Sequence, residues 1–206
     1  MFILLILVSF LVYRTKSSTS DLTYGTMPKT CVESMIQHAN ILESHVVIDL
    51  GSGVGNVCYY FSPFVSKCIG YEVDEIRYNI SNNLYSEEDL RNYKFRQYMR
   101  DTEMESIDAP VRPNVEFYHQ DFLKLPTYDA DVLIGHSTTW SDETLSSVYS
   151  KALNSKRVSV LISQKPVPGV HPINKIGCNF NWQGPSSFIN YTMKVYDVKG
   201  TIVDDL

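Results

Sequence analysis

The sequence predicts an α/β fold: an open, mostly parallel twisted sheet with helices on both faces, finished by a C-terminal antiparallel hairpin. Three observations predict it. β-branched apolar runs alternate with stretches of helical periodicity, the apolar runs are nearly continuous as in strands buried on both faces, and a glycine turn joins the first strand directly to a helix. A length of 206 residues, 44% of them hydrophobic, suits about one domain with a substantial core. The formal charge of −5 sets the whole-chain field against nucleic acid phosphates, so direct nucleic acid binding is expected to be weak at most.

Along the chain, residues 1–16 are an apolar segment with a basic flank, 17–23 a polar linker, and 24–206 the folded domain. MFILLILVSFLVY carries no charge and is followed by Arg14 and Lys16. As a helix it spans about 20 Å, short of the roughly 30 Å hydrocarbon core. Positive charge after the apolar run, instead of before it, favours an uncleaved anchor with the domain on the cytosolic side over a secretory signal. A buried strand is the alternative reading. Four cysteines (Cys31, Cys58, Cys68, Cys178) show no CxxC pair and no Cys/His ligand spacing, so free, mostly buried thiols and a reducing compartment are expected.

Thr30 and Glu33 have capping-box spacing, and Val32, Met35, Ile36 and Ala39 follow at helical intervals, which predicts a helix ending near Asn40. HVVIDL (45–50) is a β-branched run that ends in an acid, GSGVGN turns the chain, and VCYYF begins a second helix. Further strands are predicted at 67–73, 114–120, 131–135 and 157–163. Ser141 followed by Asp142 and Glu143 is a helix N-terminus, with Leu145, Val148, Tyr149 and Ala152 as the apolar face. NFNWQG and INYTMKVYDV supply the closing hairpin, where Trp182 reads as a packing residue.

Open parallel sheets bind ligands outside the carboxyl ends of their strands, where strand order reverses, so the glycine turn marks the site. A dinucleotide fingerprint needs a third glycine or alanine, and here Asn56 stands in that place. Present instead are Asp49, Gly51, Gly53 and Gly55, then Glu72 at a strand end, then Asp121 and Phe122 after a third strand. This is the pattern of Rossmann-like methyltransferases that use S-adenosylmethionine (SAM). Glycines admit the cofactor close to the backbone, Glu72 can accept from both ribose hydroxyls, Asp121 from the adenine amino group, and Phe122 offers the ring an apolar face. Singly, each has an ordinary structural reading: a tight turn, a solvated strand end, a turn cap.

Tyr24-Gly25, VIDLGSGVGN, GYE (70–72), QDFL (120–123), SQKPVP (163–168) and NWQGP (181–185) together resemble the disruptor-of-telomeric-silencing family, the non-SET histone lysine methyltransferases. The correspondence runs in order from about Asp21 to Asp197. By this resemblance Tyr24, Gly25, Asp49, Gly51, Gly53, Glu72, Asp121 and Phe122 would bind SAM, and Trp140 and Tyr191 would help line a narrow lysine channel. The activity implied is transfer of a methyl group to a lysine of a histone, or of a membrane protein if residues 1–13 insert. That activity places the chain at a membrane or, without the anchor, in the nucleus.

Two departures stand out. Thr26 follows Tyr-Gly where the family has Glu, and His136-Ser137 stands where it has Asn-Asn. His136, Ser137 and Thr138 are candidates for orienting the substrate amine; the alternative is that they satisfy backbone groups at a strand end. The same departure raises the alternative of a SAM-binding module without catalysis. The family's basic tail for nucleosomal DNA has no counterpart, and the clearest basic cluster is Arg91, Lys94, Arg96 and Arg100, read as a solvated helix face more readily than a phosphate site.

Overall fold

The computed structural model describes residues 27–82, 113–181 and 188–200. The apolar segment and linker, Tyr24, Gly25, Thr26, the basic cluster at 91–100 and Trp182 lie outside the described residues. Among those described, no helix is long and apolar enough to cross a membrane.

The elements follow the order α1 (Lys29–His38), β1 (Val46–Leu50), α2 (Asn56–Phe61), β2 (Lys67–Glu72), α3 (Glu75–Ser81), β3 (Val115–His119), a 3-10 turn (Phe122–Lys124), β4 (Val132–Gly135), α4 (Asp142–Asn154), β5 (Val160–Ser163), β6 (Asn174–Asn181) and β7 (Phe188–Asp197). They build one seven-stranded sheet in the order β3-β2-β1-β4-β5-β7-β6. The first five in that row are parallel, and β7 and β6 are antiparallel. The expected fold class is the one observed, a Rossmann-like methyltransferase architecture with a terminal hairpin.

Strand alternation divides the core into two layers. Val47, Cys68, Val132, Ile134, Val160 and Ile162 face α1 and α2, whose Met35 and Phe61 cover them. Ile48, Leu50, Leu133 and Leu161 face the other way, toward Val148 and Ala152 of α4. Burial on both sides explains the near-continuous apolar runs. At the amino ends of the central strands, Asp131 accepts from the backbone N–H of Val46 and from Arg157 Nη2, each at 2.7 Å, and so joins β1, β4 and β5.

Two expectations are corrected. The capping box is absent: α1 begins at Lys29 with Pro28 as its N-cap, so Thr30 lies inside the first turn. Pro28 lacks an N–H and holds φ near the helical value, which lets the helix start earlier. Asn40, with φ of 51°, then ends the segment in the left-handed conformation asparagine tolerates. The second correction concerns the thiols. Cys31 and Cys178 form a disulfide across 147 residues, tying α1 to β6, whereas Cys58 and Cys68 are free and buried as expected. Spacing along the chain carries no information about a pair that meets only when α1 packs over β6.

Candidate active site

Strand order reverses between β1 and β4, so the crevice at their carboxyl ends is the site this topology provides. Leu50 of β1 pairs with Gly135 of β4, and Gly135 with Ser163 of β5. The residues just past these ends, Gly51, His136 and Gln164, therefore stand level across three neighbouring strands.

The glycine turn is folded back onto β2. The backbone N–H groups of Gly51 and Ser52 donate to the Tyr71 carbonyl at 2.9 and 3.0 Å, and the Gly53 N–H donates to Glu72 Oε2 at 2.8 Å. Glu72 Oε1 accepts from the N–H groups of Val73 and Asp74 at 2.9 and 2.8 Å. Glu72, almost fully buried, is thus the fastener of the turn. Gly51 and Gly55 have φ of 80° and 91°, where a side chain would be strained. Among the described residues nothing lies within 4 Å of the position a Cβ on Gly51 would take, so they leave open space there.

At the start of the turn lies Asp49, also buried; among the described residues neither its Oδ2 nor Ser52 Oγ has a hydrogen-bond partner. Burial pushes the Asp49 carboxyl up to about 7, with the neighbouring Glu72 carboxylate adding to the rise. Between the ordinary value of 3.8 and about 7 the folded chain keeps a proton the unfolded chain has released. Stability of the ligand-free protein is therefore expected to fall as pH rises through that window and to level off above it. Denaturant titrations at pH 5, 6, 7 and 8 on the wild type and Asp49→Asn check this; a slope of the same size in the variant would assign it to another group.

At the β3 end, the Gln120 N–H donates to the Glu72 carbonyl at 3.0 Å, and Asp121 Oδ1 caps the following turn by accepting from the Leu123 N–H at 2.9 Å. Phe122 meets Trp140 with ring centroids 5.0 Å apart. That contact depends on a glycine: a Cβ on Gly135 would fall 2.5 Å from Trp140 Cη2. Val73, 54% exposed beside Glu72, adds an apolar surface that the sequence reading did not single out.

The loops after β4 and β5 are bound to each other. Ser137 is buried, and its Oγ accepts from the Lys165 N–H at 2.9 Å. Thr138 Oγ1 donates to Gln164 Oε1. Lys165 Nζ donates to the Trp140 carbonyl at 2.6 Å and sits 3.6 Å from Asp142. Lys194 Nζ donates to the Gln164 carbonyl at 2.5 Å. For Ser137 the strand-end reading describes the hydrogen bond observed.

The predicted residues thus fall into groups. Asp49, Gly51, Gly53 and Glu72 come together at the β1 turn. Asp121, Phe122 and Trp140 form a second cluster, and His136, Ser137 and Thr138 a third beside Gln164. Tyr191 stands apart from Trp140: it packs on the α1 and α2 layer, whereas Trp140 belongs to the α4 layer. Since Ser163 pairs with Lys194, Tyr191 lies beyond the carboxyl end of β5, on the side of the site. Gln164 and Lys194 were not singled out. Gln164 sits within the quoted SQKPVP segment, and its place directly after an apolar run that ends in Ser was the available signal.

A family model described as "Histone methylation protein DOT1" matches residues 9–175. An uncharacterized methyltransferase of Bacillus subtilis (strain 168), YcgJ, is 32% identical over 63 residues, 31% of this chain; the chain spans only 25% of that relative's length. Among solved structures, an RNA methyltransferase from Salinibacter ruber in complex with S-adenosyl-L-homocysteine has a TM-score of 0.58 at 18% identity, over 88% of this chain and 98% of that one. Magnesium protoporphyrin IX methyltransferase (ChlM) from Synechocystis PCC 6803, with bound SAM, has a TM-score of 0.52 at 14% identity, over 81% and 78%. At such identities the likeness shows the shared fold.

Proposed function

Because the chain belongs to the family of the histone methylation protein DOT1, we propose that it is a SAM-dependent methyltransferase whose acceptor is a protein lysine. The observation that carries the cofactor reading is the buried Asp49–Glu72 carboxylate pair, with Asp49 Oδ2 and Ser52 Oγ unpartnered, behind a glycine turn that leaves open space. A cationic ligand carrying amine and hydroxyl groups matches those donors and acceptors, and SAM is such a ligand. Asp49 and Ser52 would meet its amino-acid end, Glu72 with the one lone pair left on Oε2 a ribose hydroxyl, and Asp121 the adenine amino group. Val73, Phe122 and Trp140 give the adenine ring an apolar surface. Tyr24 and Gly25 are assigned to the same ligand by the family pattern.

When bound, SAM supplies a methyl group on a positively charged sulfur. Transfer would require a neutral amine with its lone pair free to face that carbon in line, the carbon–sulfur bond pair leaving with sulfur and the amine proton leaving to solvent. Little is asked of side chains beyond position and exclusion of water. The loops after β4 and β5, fastened by Ser137 to Lys165 and by Lys165 to Trp140, hold the floor on which the amine sits. Trp140 and Tyr191 wall the approach from the two sides of the sheet.

Ligand binding should also release a proton. If Asp49 titrates near 7 when free and is held ionised by a cation, affinity for SAM rises about tenfold from pH 6 to pH 8. Calorimetry in buffers of different ionisation enthalpy measures it, and a pH-independent affinity would remove Asp49 from the binding site.

The substrate reading is tested by incubating the full chain with radiolabelled SAM and separated nucleosome and membrane-protein fractions. Label on a histone lysine places the protein with the nuclear members of its family, whereas label on a membrane protein fits an anchor at residues 1–13 and a domain on the cytosolic side. SAM binding without transfer to any protein would instead support a binding module, the alternative that His136-Ser137 raises.

A further inference from the structure

The Gln164 side chain is not explained by the fold. It is 4% exposed, and its Nε2 is buried without a hydrogen-bond partner among the described residues. Its Oε1 accepts from the Thr138 hydroxyl. The backbone on either side is fixed, since Lys194 Nζ holds the Gln164 carbonyl and Ser137 Oγ holds the next N–H, that of Lys165. A buried amide with one end unmet costs free energy in a folded protein until a ligand group meets it. By register the residue is level with His136 and Gly51 across β5, β4 and β1, roughly 10 Å from the glycine turn at the usual strand spacing.

A threonine hydroxyl can serve either end of an amide, donating to the oxygen or accepting from the nitrogen. A half-turn of the Gln164 amide therefore keeps the Thr138 bond and presents Oε1, an acceptor that holds an N–H without removing its proton. We propose that Gln164, set by Thr138, orients the substrate amine by accepting one of its N–H bonds, leaving the nitrogen lone pair free to face the methyl group. The inference rests on the protein-lysine reading and adds to it the group that aims the nucleophile. Glutamine in this role adds no negative charge beside Lys165 and Lys194, so an incoming lysine is not held as ammonium.

The test uses the full chain with Gln164→Glu and Gln164→Met. A carboxylate in place of the amide would hold the ammonium form, so the rate–pH profile of Gln164→Glu should move at least one unit toward higher pH, with SAM affinity within twofold of wild type. Gln164→Met, which removes the polar end, should lower kcat about tenfold without loss of stability; unchanged kcat with raised stability would mark the amide as a structural orphan only. Independently of activity, the side-chain amide signal of Gln164 in the ¹⁵N-labelled chain saturated with S-adenosylhomocysteine should shift on titration with n-butylamine at pH 9. Superimposed pH profiles, or no shift of that signal, overturn the proposal. If n-butylamine shifts the signal while no protein is methylated, the amine site stands and the protein-lysine reading falls.

Discussion

Replacing Glu72 by alanine is expected to abolish cofactor binding, at least a hundredfold in affinity, and to lower stability by about 3–5 kcal/mol. Three backbone N–H groups lose the Glu72 acceptor, that of Gly53 in a buried bond and those of Val73 and Asp74 in partly buried ones. The Gly53 bond fastens the glycine turn to the Glu72 side chain, so the turn is released together with the carboxylate proposed to meet the ribose. Glu72→Gln keeps the shape but turns two donors toward backbone donors, and should be nearly as damaging. Urea unfolding and calorimetry with S-adenosylhomocysteine measure both effects. Binding within twofold of wild type would mean that the turn is shaped by the Tyr71 carbonyl and its glycines alone.

The second large effect is expected from Gly55→Ala. Its φ of 91° is strained for any side chain, and the new Cβ would fall 2.4 Å from Phe117 Cζ and 2.8 Å from Cε1. Phe117 cannot simply swing away, because it packs on Tyr59 with centroids 5.6 Å apart and against the α1 and α2 layer. Strain and overpacking together should cost about 2–5 kcal/mol. Gly51→Ala is the control: its φ is 80°, but no atom of the described residues lies within 4 Å of the new methyl, so only the backbone strain, about 1 kcal/mol, should appear. Equal losses in the two variants would show that the Phe117 contact yields without cost. Gly51→Ala should nevertheless weaken cofactor binding, because its methyl enters the open space of the turn.

Much of this site was legible because its chemistry is local. A strand that ends in Asp49, a turn with glycines at 51, 53 and 55, an acid closing the next strand and an Asp-Phe pair after the third each occupy a few consecutive residues. Backbone conformation there is set by residue type. Ser141 was equally readable: its side chain accepts from the Thr144 N–H at 3.1 Å, as a cap placed before two acids should. Pro28 displaced the predicted cap at Thr30 because two valid start signals stood two residues apart and proline at the boundary prevailed.

By itself the sequence determined the order of strands and helices, the parallel sheet and the position of the glycine turn, because hydrophobic period and glycine placement act within a few residues. Tertiary structure alone decided the rest. The Cys31–Cys178 bond needed α1 laid over β6. The fastening of the glycine turn by Glu72 needed β1 and β2 side by side in register. Trp140, in the loop before α4, and Tyr191, on β7, were sent to different core layers by the packing of the helices on the two faces of the sheet. The partnership of Thr138 with Gln164 joins residues 26 apart in the chain. Such contacts depend on which loops emerge at the same end of the sheet, and no local pattern in the chain encodes that distance.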